Sequence, residues 1–405
     1  METVKLYYQD PHIRRFSACV ESCVSTDSGF EITLNATAFY PEGGGQACDL
    51  GTLGAARVLS VREAGEAVIH LCDQPLPVGE TVCGSIDWER RFDLMQQHTG
   101  EHIVSGILHK YLGCHNTGFH VGEYVMEVDF SCPVDAQLLA KVEREANEAV
   151  WANLPLKCWY PSPEELPNVT YRTKRALPWP VRIVQIPGVD SCACCGVHVS
   201  HTGEVGVIKI LSCVKFHGGI RLEMVCGGRA FDWYSHIFQE NKQVSQLFSA
   251  KITETGEAAR KMAEQLAAEK FRSAALEKRL LQHTADAYRG KNRPVLRFEE
   301  GLSGGNLREL AGMLAQSCGH TAAVLSPSGE GFDVCLACPG ADLKPLSAAM
   351  SVALKGRGGG KPGFFQGRLC CTREEAVTFF SDRDFLTESS EEKYFNLCKE
   401  DTLQG

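Results

Sequence analysis

The sequence lacks any apolar run long enough to cross a membrane, and its first residues lack the basic segment and apolar core of a secretory leader. We therefore expect a cytoplasmic protein whose 19 cysteines are reduced thiols, with a few of them bound to a metal. The chain also lacks an excess of positive charge, because its formal net charge is −9. Any nucleic-acid binding must then come from a local basic surface.

Two common nucleotide-binding motifs are missing from a glycine-rich run near the C-terminus. Residues 356–363 fit neither the GxxxxGK[ST] loop nor the GxGxxG fingerprint. The backbone amides of this run, with Arg357 and Lys361, are suited to holding a phosphate. A flexible surface loop is the other interpretation, and the sequence leaves both open.

The length and the changing periodicity predict a multidomain α+β protein. The predicted segments are a small β-barrel with a glycine-rich loop over residues 1–90, a mixed α+β domain over 91–230, a long helix or helical hairpin over 231–291, and a small α/β domain with an acidic tail over 292–405. Gly256 is a candidate break between two helices, and the tail after Thr372 is expected to be solvated.

Two histidines four residues apart identify the first part of a candidate metal site. His98 and His102 share one face of a predicted helix, so both imidazoles can reach one ion. The residue after His98 is Thr99, so the pattern is not the HExxH motif of metalloproteases. Taken alone, the pair is more often two ordinary helix histidines than a site.

A second half-site lies far downstream, where Cys194 and His198 are again four residues apart. Three imidazoles and one thiolate are a suitable set for one tetrahedral zinc ion per chain. The two half-sites together predict zinc more strongly than either one does alone.

Several stretches together resemble the long form of the AlaX family, the freestanding relatives of the editing half of alanyl-tRNA synthetase. The stretches that carry the resemblance are Thr37-Ala38-Phe39-Tyr40-Pro41-Glu42-Gly43-Gly44-Gly45-Gln46, His98-Thr99-Gly100-Glu101-His102, Cys194-Cys195-Gly196-Val197-His198, Thr202-Gly203-Glu204-Val205-Gly206 and the late glycine-rich run. Because they occur in one order along nearly the whole chain, the combination is more specific than any single motif.

The resemblance implies an aminoacyl-tRNA deacylase, a hydrolase that removes serine or glycine from wrongly charged tRNA(Ala). It implies that His98, His102, Cys194 and His198 bind zinc. The chain departs from the family's usual CGGTH at Cys195 and Val197, which leaves substrate handling open. No adenylate-forming domain is visible, so ligase activity and ATP use are not expected.

Other residues are candidates for substrate contacts. Thr37 matches a position that the family uses to sense the serine hydroxyl, although an ordinary strand threonine is the alternative. Gln97 and His120 are candidates for holding the 3′ adenosine or the attacking water. The remaining candidates are the glycine-rich loop, whose backbone can approach a ligand closely, and basic residues for phosphates: Gly43, Gly44, Gly45, Gln46, Arg221, Lys209 and Lys215.

The sequence leaves three functions open. The first is editing, with tRNA(Ala) as partner, no membrane association and a homodimer formed through the C-terminal region. The second is a non-catalytic, zinc-stabilised tRNA-binding protein. The third is a metal-dependent hydrolase of a small ester, which would need neither the long helix nor the C-terminal domain.

Three bound side chains would leave zinc an open position for chemistry, whereas four would close the site.

Overall fold

The computed structural model describes residues 2–173, 179–302 and 304–389, and the chain divides into two compact units, Met1–Leu247 and Phe248–Gly405. Several sheets with helices packed on them confirm the predicted α+β, multidomain class. The boundaries of the four predicted segments stay a prediction. None of the described helices combines the length and the apolar character that spanning a membrane demands.

The first unit begins with a closed six-stranded barrel of order β2-β3-β7-β6-β5-β8. Its strands are β2 (Arg15–Thr26), β3 (Gly29–Leu34), β5 (Gly51–Leu53), β6 (Ala56–Ala64), β7 (Ala67–Cys72) and β8 (Thr81–Ile86). A short parallel pair, β1 (Val4–Lys5) with β4 (Ala36–Thr37), and helix α1 (Leu6–Gln9) lie outside that order. Alternation along β6 buries Ala56, Val58 and Val61 in the barrel core.

Helix α2 (Trp88–Leu112) follows the barrel and forms the centre of the next core. The Asp87 side chain caps its start by accepting a hydrogen bond from the Arg90 amide, and Gly113 ends it in the left-handed conformation. The fully buried Arg91 joins the helix to the barrel, because its Nε donates to Asp49 Oδ1 at 2.8 Å and its Nη1 to the Pro11 carbonyl at 2.8 Å.

A four-stranded antiparallel sheet packs on this helix in the order β14-β15-β10-β9, and a three-stranded sheet has the order β11-β12-β13. The strands are β9 (Asn116–Val121), β10 (Met126–Phe130), β11 (Lys157–Trp159), β12 (Ile183–Ile186), β13 (Asp190–Ala193), β14 (Ile208–Phe216) and β15 (Gly219–Cys226). Helices α3 (Ala136–Trp151) and α4 (Gly227–Leu247) complete the unit.

The expectation that all cysteines are reduced is wrong for one pair. Cys114 and Cys132 form a disulfide, with their Cα atoms 5.7 Å apart. The β9–β10 hairpin explains the pairing, because Asn116 faces Phe130 across the ladder and the two cysteines lie just beyond that end. The other cysteines of the described residues are free.

The second unit is a six-stranded sheet with helices on both faces. Its strand order is β19-β20-β18-β17-β16-β21, with β16 parallel to both of its neighbours. The elements are α5 (Thr255–Asp286), β16 (Val295–Phe298), α6 (Gly304–Cys318), β17 (Ala322–Ser328), β18 (Gly331–Ala337), α7 (Lys344–Ala353), β19 (Arg357–Lys361), β20 (Phe364–Leu369), α8 (Arg373–Ser381) and β21 (Leu386–Ser389). The end of α5 and α6 cover one face of the sheet, and α7 and α8 cover the other.

Three local expectations are corrected in this part of the chain. The helical segment is interrupted at residues 248–254, whereas Gly256 lies in the first turn of α5. The glycine-rich run is not a loop, because Arg357–Lys361 pairs with β20 as an exposed edge strand. The segment after Thr372 is not simply a solvated tail, because it contains α8 and β21. Residues 390–405 lie outside the described part of the chain.

Candidate metal centre and its cavity

Two glycines allow α2 to enter the core closely enough to present its histidines. A Cβ added at Gly100 would lie 2.2 Å from the Cys226 Sγ, and one at Gly106 would lie 2.4 Å from the Val189 carbonyl oxygen. Side chains at these positions would push the helix away from β15 and from the segment that leads into β13. The second contact brings Asp190 to the helix face that carries His102.

The second half-site is held by Arg182, which is 6% exposed. Its Nη1 donates to the Cys194 carbonyl at 2.9 Å and to the Gly196 carbonyl at 2.8 Å, so the loop bends around the guanidinium. Gly196 is required here, because a Cβ would lie 2.1 Å from the His98 ring. The CxxxH loop can therefore approach α2 only without a side chain at this position.

The structure brings the four predicted metal ligands together. One nitrogen or sulfur atom from each of His98, His102, Cys194 and His198 lies within 4.8 Å of the others. The Cys194 Sγ is 3.5 Å from the Nε2 of both His98 and His198. All three histidines are only 2% exposed. The cluster has the composition and the reach of a zinc site.

Each histidine is oriented through its Nδ1 atom. The His98 Nδ1 donates to the Gln46 Oε1 at 2.8 Å, and the His102 Nδ1 donates to the Asp190 Oδ2 at 3.0 Å. The His198 Nδ1 shares a hydrogen bond of 3.2 Å with the Thr99 hydroxyl. Engagement of Nδ1 leaves Nε2 directed to a metal, the arrangement that protein zinc sites use.

Asp190 is itself fixed by a second partner. The Arg172 guanidinium donates to both of its carboxylate oxygens, at 2.7 and 2.8 Å. Burial raises the pKa of Asp190, but the hydrogen bonds from His102 and Arg172 outweigh it, so the net pKa is below the ordinary value. The carboxylate therefore stays charged and holds the His102 ring in place.

The pKa values of Cys194 and His198 suit metal binding, whereas His102 must lose a proton to bind. Burial lowers the pKa of His102, but the charge of Cys194 and the hydrogen bond to Asp190 outweigh it, so the net pKa is well above the ordinary value. Burial raises the pKa of Cys194, yet the neighbouring His98 and His102 bring it well below its ordinary value. Burial, with the charge of His98 next in size, lowers the pKa of His198 to about 3. A thiolate and a neutral imidazole are the forms in which these side chains bind zinc.

A cavity of about 590 Å³ opens onto the cluster. Its walls include the glycine-rich loop, the start of β9 and the segment around β13; among the lining residues are His98, His102, Cys194, Gly44, Gly45, Phe119, Glu101, Asn116, Arg172 and Arg182. This volume lies within the ordinary range for small-molecule sites.

The structure brings part of the predicted glycine-rich loop to the site. Gly44 and Gly45 line the cavity, with φ values of 64° and 87° that favour glycine. Gln46 is 1% exposed and contacts His98, whereas Gly43 closes the turn through backbone hydrogen bonds with Gln46. The loop therefore both borders the cavity and orients one candidate ligand.

Six other predicted site residues, among them Lys209 and Lys215, do not line this cavity in the described part of the chain. Thr37 is buried and hydrogen-bonds to His70 at 2.8 Å. The Gln97 side chain donates a hydrogen bond to the Cys226 carbonyl and accepts one from the Cys226 amide. His120 is exposed on β9. Arg221 pairs with Asp129 at 2.6 Å and also with Glu127. Their roles in substrate binding or catalysis stay predictions.

The two departures in the metal loop have separate surroundings. Val197 is fully buried in the core around α2, so its side chain is a packing element. Cys195 is exposed and belongs to neither candidate metal group of the described residues, whereas Cys192 forms a second such group with His102 and Asp190. Of these two thiols, only Cys192 has a position from which it could compete for the metal.

Comparison with known proteins gives the family. Residues 181–222, which include the CxxxH half-site, match the family described as threonyl and alanyl tRNA synthetase second additional domain. The chain is 30% identical to the alanyl-tRNA editing protein Aarsd1 of Mus musculus over 96% of its own length and 99% of that relative. It is 35% identical to the alanine–tRNA ligase of Ignicoccus hospitalis over 56% of this chain and 26% of the ligase. The chain belongs to the AlaX-like family of alanyl-tRNA editing proteins.

Proposed function

We propose that the protein hydrolyses the aminoacyl ester of Ser-tRNA(Ala) or Gly-tRNA(Ala), with one zinc ion held by His98, His102, Cys194 and His198. The observation that carries this proposal is the buried His/Cys cluster opening onto a cavity bordered by the glycine-rich loop. Membership of the editing family supplies the substrate class. The ester is an activated bond, so correct positioning accounts for most of the expected rate enhancement.

The residues present fit zinc, because a thiolate and three oriented imidazoles converge on one point. When bound, zinc supplies Lewis-acid chemistry if one position stays open, and otherwise holds the wall of the cavity. The chain's own side chains position the substrate. The backbone of Gly44 and Gly45 allows close approach of a ribose or an acyl group.

In the described part of the chain, Gln46 contacts the candidate metal cluster rather than lining the cavity, but one of its polar atoms is unsatisfied. Its Oε1 accepts from His98, while its Nε2 is buried and lacks a hydrogen-bond partner among the described residues. A buried donor without a partner is costly. We therefore assign this donor to an oxygen of the substrate. A site that pairs such a group with the serine hydroxyl can disfavour alanine strongly.

A second candidate function is that of a non-catalytic, zinc-stabilised tRNA-binding protein. One observation favours it: all four candidate ligands reach the same point, and four protein ligands make a closed structural site. Homodimer formation and a cytoplasmic location stay predictions.

The test compares hydrolysis of Ser-tRNA(Ala) with that of Ala-tRNA(Ala) by the wild type and by His102→Ala, with zinc content measured on both. Editing predicts release of serine but not alanine, lost together with zinc in the variant. No release of serine or glycine by a zinc-loaded wild type would contradict editing and favour the binding protein.

A further inference from the structure

A carboxylate and an amide on one wall of the cavity have no role in the zinc cluster. Glu101 is on α2, next to His102, and Asn116 begins β9. Both line the cavity, although the two residues are only 4% and 6% exposed. Buried polar groups of this kind are ordinarily satisfied by a partner.

The hydrogen bonds within the pair leave two acceptor atoms for a ligand, the Glu101 Oε2 and the Asn116 Oδ1. The Glu101 Oε1 accepts hydrogen bonds from the Ser105 hydroxyl and from the Asn116 Nδ2. The Glu101 Oε2 lies 3.9 Å from the His102 Nε2, beyond hydrogen-bond distance. The Asn116 Oδ1 is buried and has no hydrogen-bond partner within the residues that the structure describes.

These two acceptors indicate the chemistry of a suitable ligand. Arg172 and His102 already place positive charge near Glu101. A carboxylate forms its strongest hydrogen bonds with a charged donor, and the amide oxygen needs an N–H or O–H donor. A primary ammonium group satisfies both needs, because it carries a positive charge and three donors. A metal ion is a poorer match, because Glu101 belongs to neither candidate metal group found among the described residues.

We infer that Glu101 and Asn116 bind the α-ammonium group of the aminoacyl ester. This inference rests on the proposed function, which supplies an ester with such a group. In an aminoacyl ester, one carbon separates the ammonium nitrogen from the ester carbonyl carbon. An ammonium beside the Glu101 Oε2 therefore places the ester close to His102. Esters without a free amine, such as peptidyl-tRNA, are then excluded from hydrolysis.

The test measures binding rather than hydrolysis. The probes are 3′-(seryl)amino-3′-deoxyadenosine, whose amide replaces the reactive ester, and the matching 3-hydroxypropanoyl amide, which lacks only the ammonium group. Titration calorimetry on the zinc-loaded full chain should show at least about tenfold tighter binding of the seryl compound, as a charge-assisted hydrogen bond provides. Equal affinities for the two compounds would overturn the inference.

Two variants test whether Glu101 and Asn116 cause the tighter binding of the seryl compound. Glu101→Gln keeps the shape but removes the charge, and it should bring the affinity ratio close to one without loss of zinc. Asn116→Ala should reduce the ratio less. Ser105→Ala is the control, because Ser105 bonds to Glu101 but does not line the cavity, and it should keep the ratio. A preserved ratio in Glu101→Gln, or loss of its zinc, would overturn the inference.

Failure of this inference is distinguishable from failure of the proposed function. Discrimination between the two amides without any hydrolysis of Ser-tRNA(Ala) would support the ammonium site and contradict editing. Hydrolysis of Ser-tRNA(Ala) together with equal binding of the two amides would support editing and overturn the ammonium site.

Discussion

The two glycine-rich runs of this chain look alike in the sequence but serve different structures. Gly44 and Gly45 adopt positive φ and border the cavity, and a Cβ at Gly45 would lie 2.6 Å from Phe119. The run around Gly360 lies in an edge strand, where a Cβ would lie 1.9 Å from the Phe364 carbonyl oxygen. Glycine thus permits the turn to pack against Phe119 at the border of the cavity in the first run, and close strand pairing in the second.

The polar side chains also differ between the two regions. In the first unit, the cavity is surrounded by buried, mutually bonded side chains such as His102, Asp190 and Arg172. In the second unit, Arg357 and Lys361 stand exposed on the edge strand. We expect chemistry to depend on the first region and tRNA affinity on the second, and the following predictions test that division.

The largest effect is expected for Cys194→Ala. Removal of the thiolate takes away the one anionic ligand of the proposed set, so zinc affinity and Ser-tRNA(Ala) hydrolysis should both fall steeply. Metal analysis and a deacylation assay measure these losses. Cys195→Ala is the matched control, because this exposed thiol belongs to neither candidate metal group of the described residues. Equal losses in both variants would show that the assigned thiolate is wrong.

The next effect is expected for Asp190→Ala. Without this carboxylate the His102 ring loses its orientation, and zinc affinity should fall about 10- to 100-fold. Competition with a chelator measures the change. Asp129→Ala removes another carboxylate that is bonded to an arginine, Arg221, and should leave zinc affinity unchanged. Unchanged affinity in Asp190→Ala would show that the carboxylate does not support the metal.

A smaller effect separates the two glycine-rich runs directly. Gly45→Ala places a methyl group against Phe119 at a positive φ, so kcat/KM for Ser-tRNA(Ala) should fall by about tenfold or more. Gly359→Ala meets no atom within 4 Å and should keep the wild-type value. Equal kcat/KM values for the two variants would contradict the different roles assigned to the two glycine-rich runs.

The smallest effect is expected at the exposed edge strand. The double variant Arg357→Ala, Lys361→Ala should weaken tRNA binding modestly and reduce the slope of log K against log salt by about 0.7–0.9 for each lost phosphate contact. Hydrolysis of seryl-adenosine, which lacks the rest of the tRNA, should stay the same. An unchanged salt slope would assign tRNA binding to another surface.

The sequence was sufficient to predict those features of the fold that depend on residues close together along the chain. Helical periodicity placed His98 and His102 on one face of α2. The alternation of apolar and polar residues that the sequence shows over residues 30–34 and 124–130 corresponds to β3 and β10. The amphipathic pattern before Trp151 likewise corresponds to α3. In each case, neighbours along the chain decide which residues face the core.

The sequence did not reveal that Gln46 and Asp190 orient the histidines, because tertiary packing alone brings these residues together. Gln46 is 52 residues from the His98 that it holds, and Asp190 is 88 residues from His102. No periodicity links such pairs, although a carboxylate shortly before the CxxxH motif was a usable signal for Asp190. Arg221 was predicted from its charge to contact phosphate; the fold pairs it with Asp129, and its role in substrate binding stays a prediction.

The most direct test of the account is hydrolysis of Ser-tRNA(Ala) by the same preparation in metal-free and zinc-reconstituted forms, with circular dichroism recorded on both. The account predicts one zinc ion per chain and release of serine that appears only with zinc. Equal rates in the two folded forms would contradict a zinc-dependent editing site.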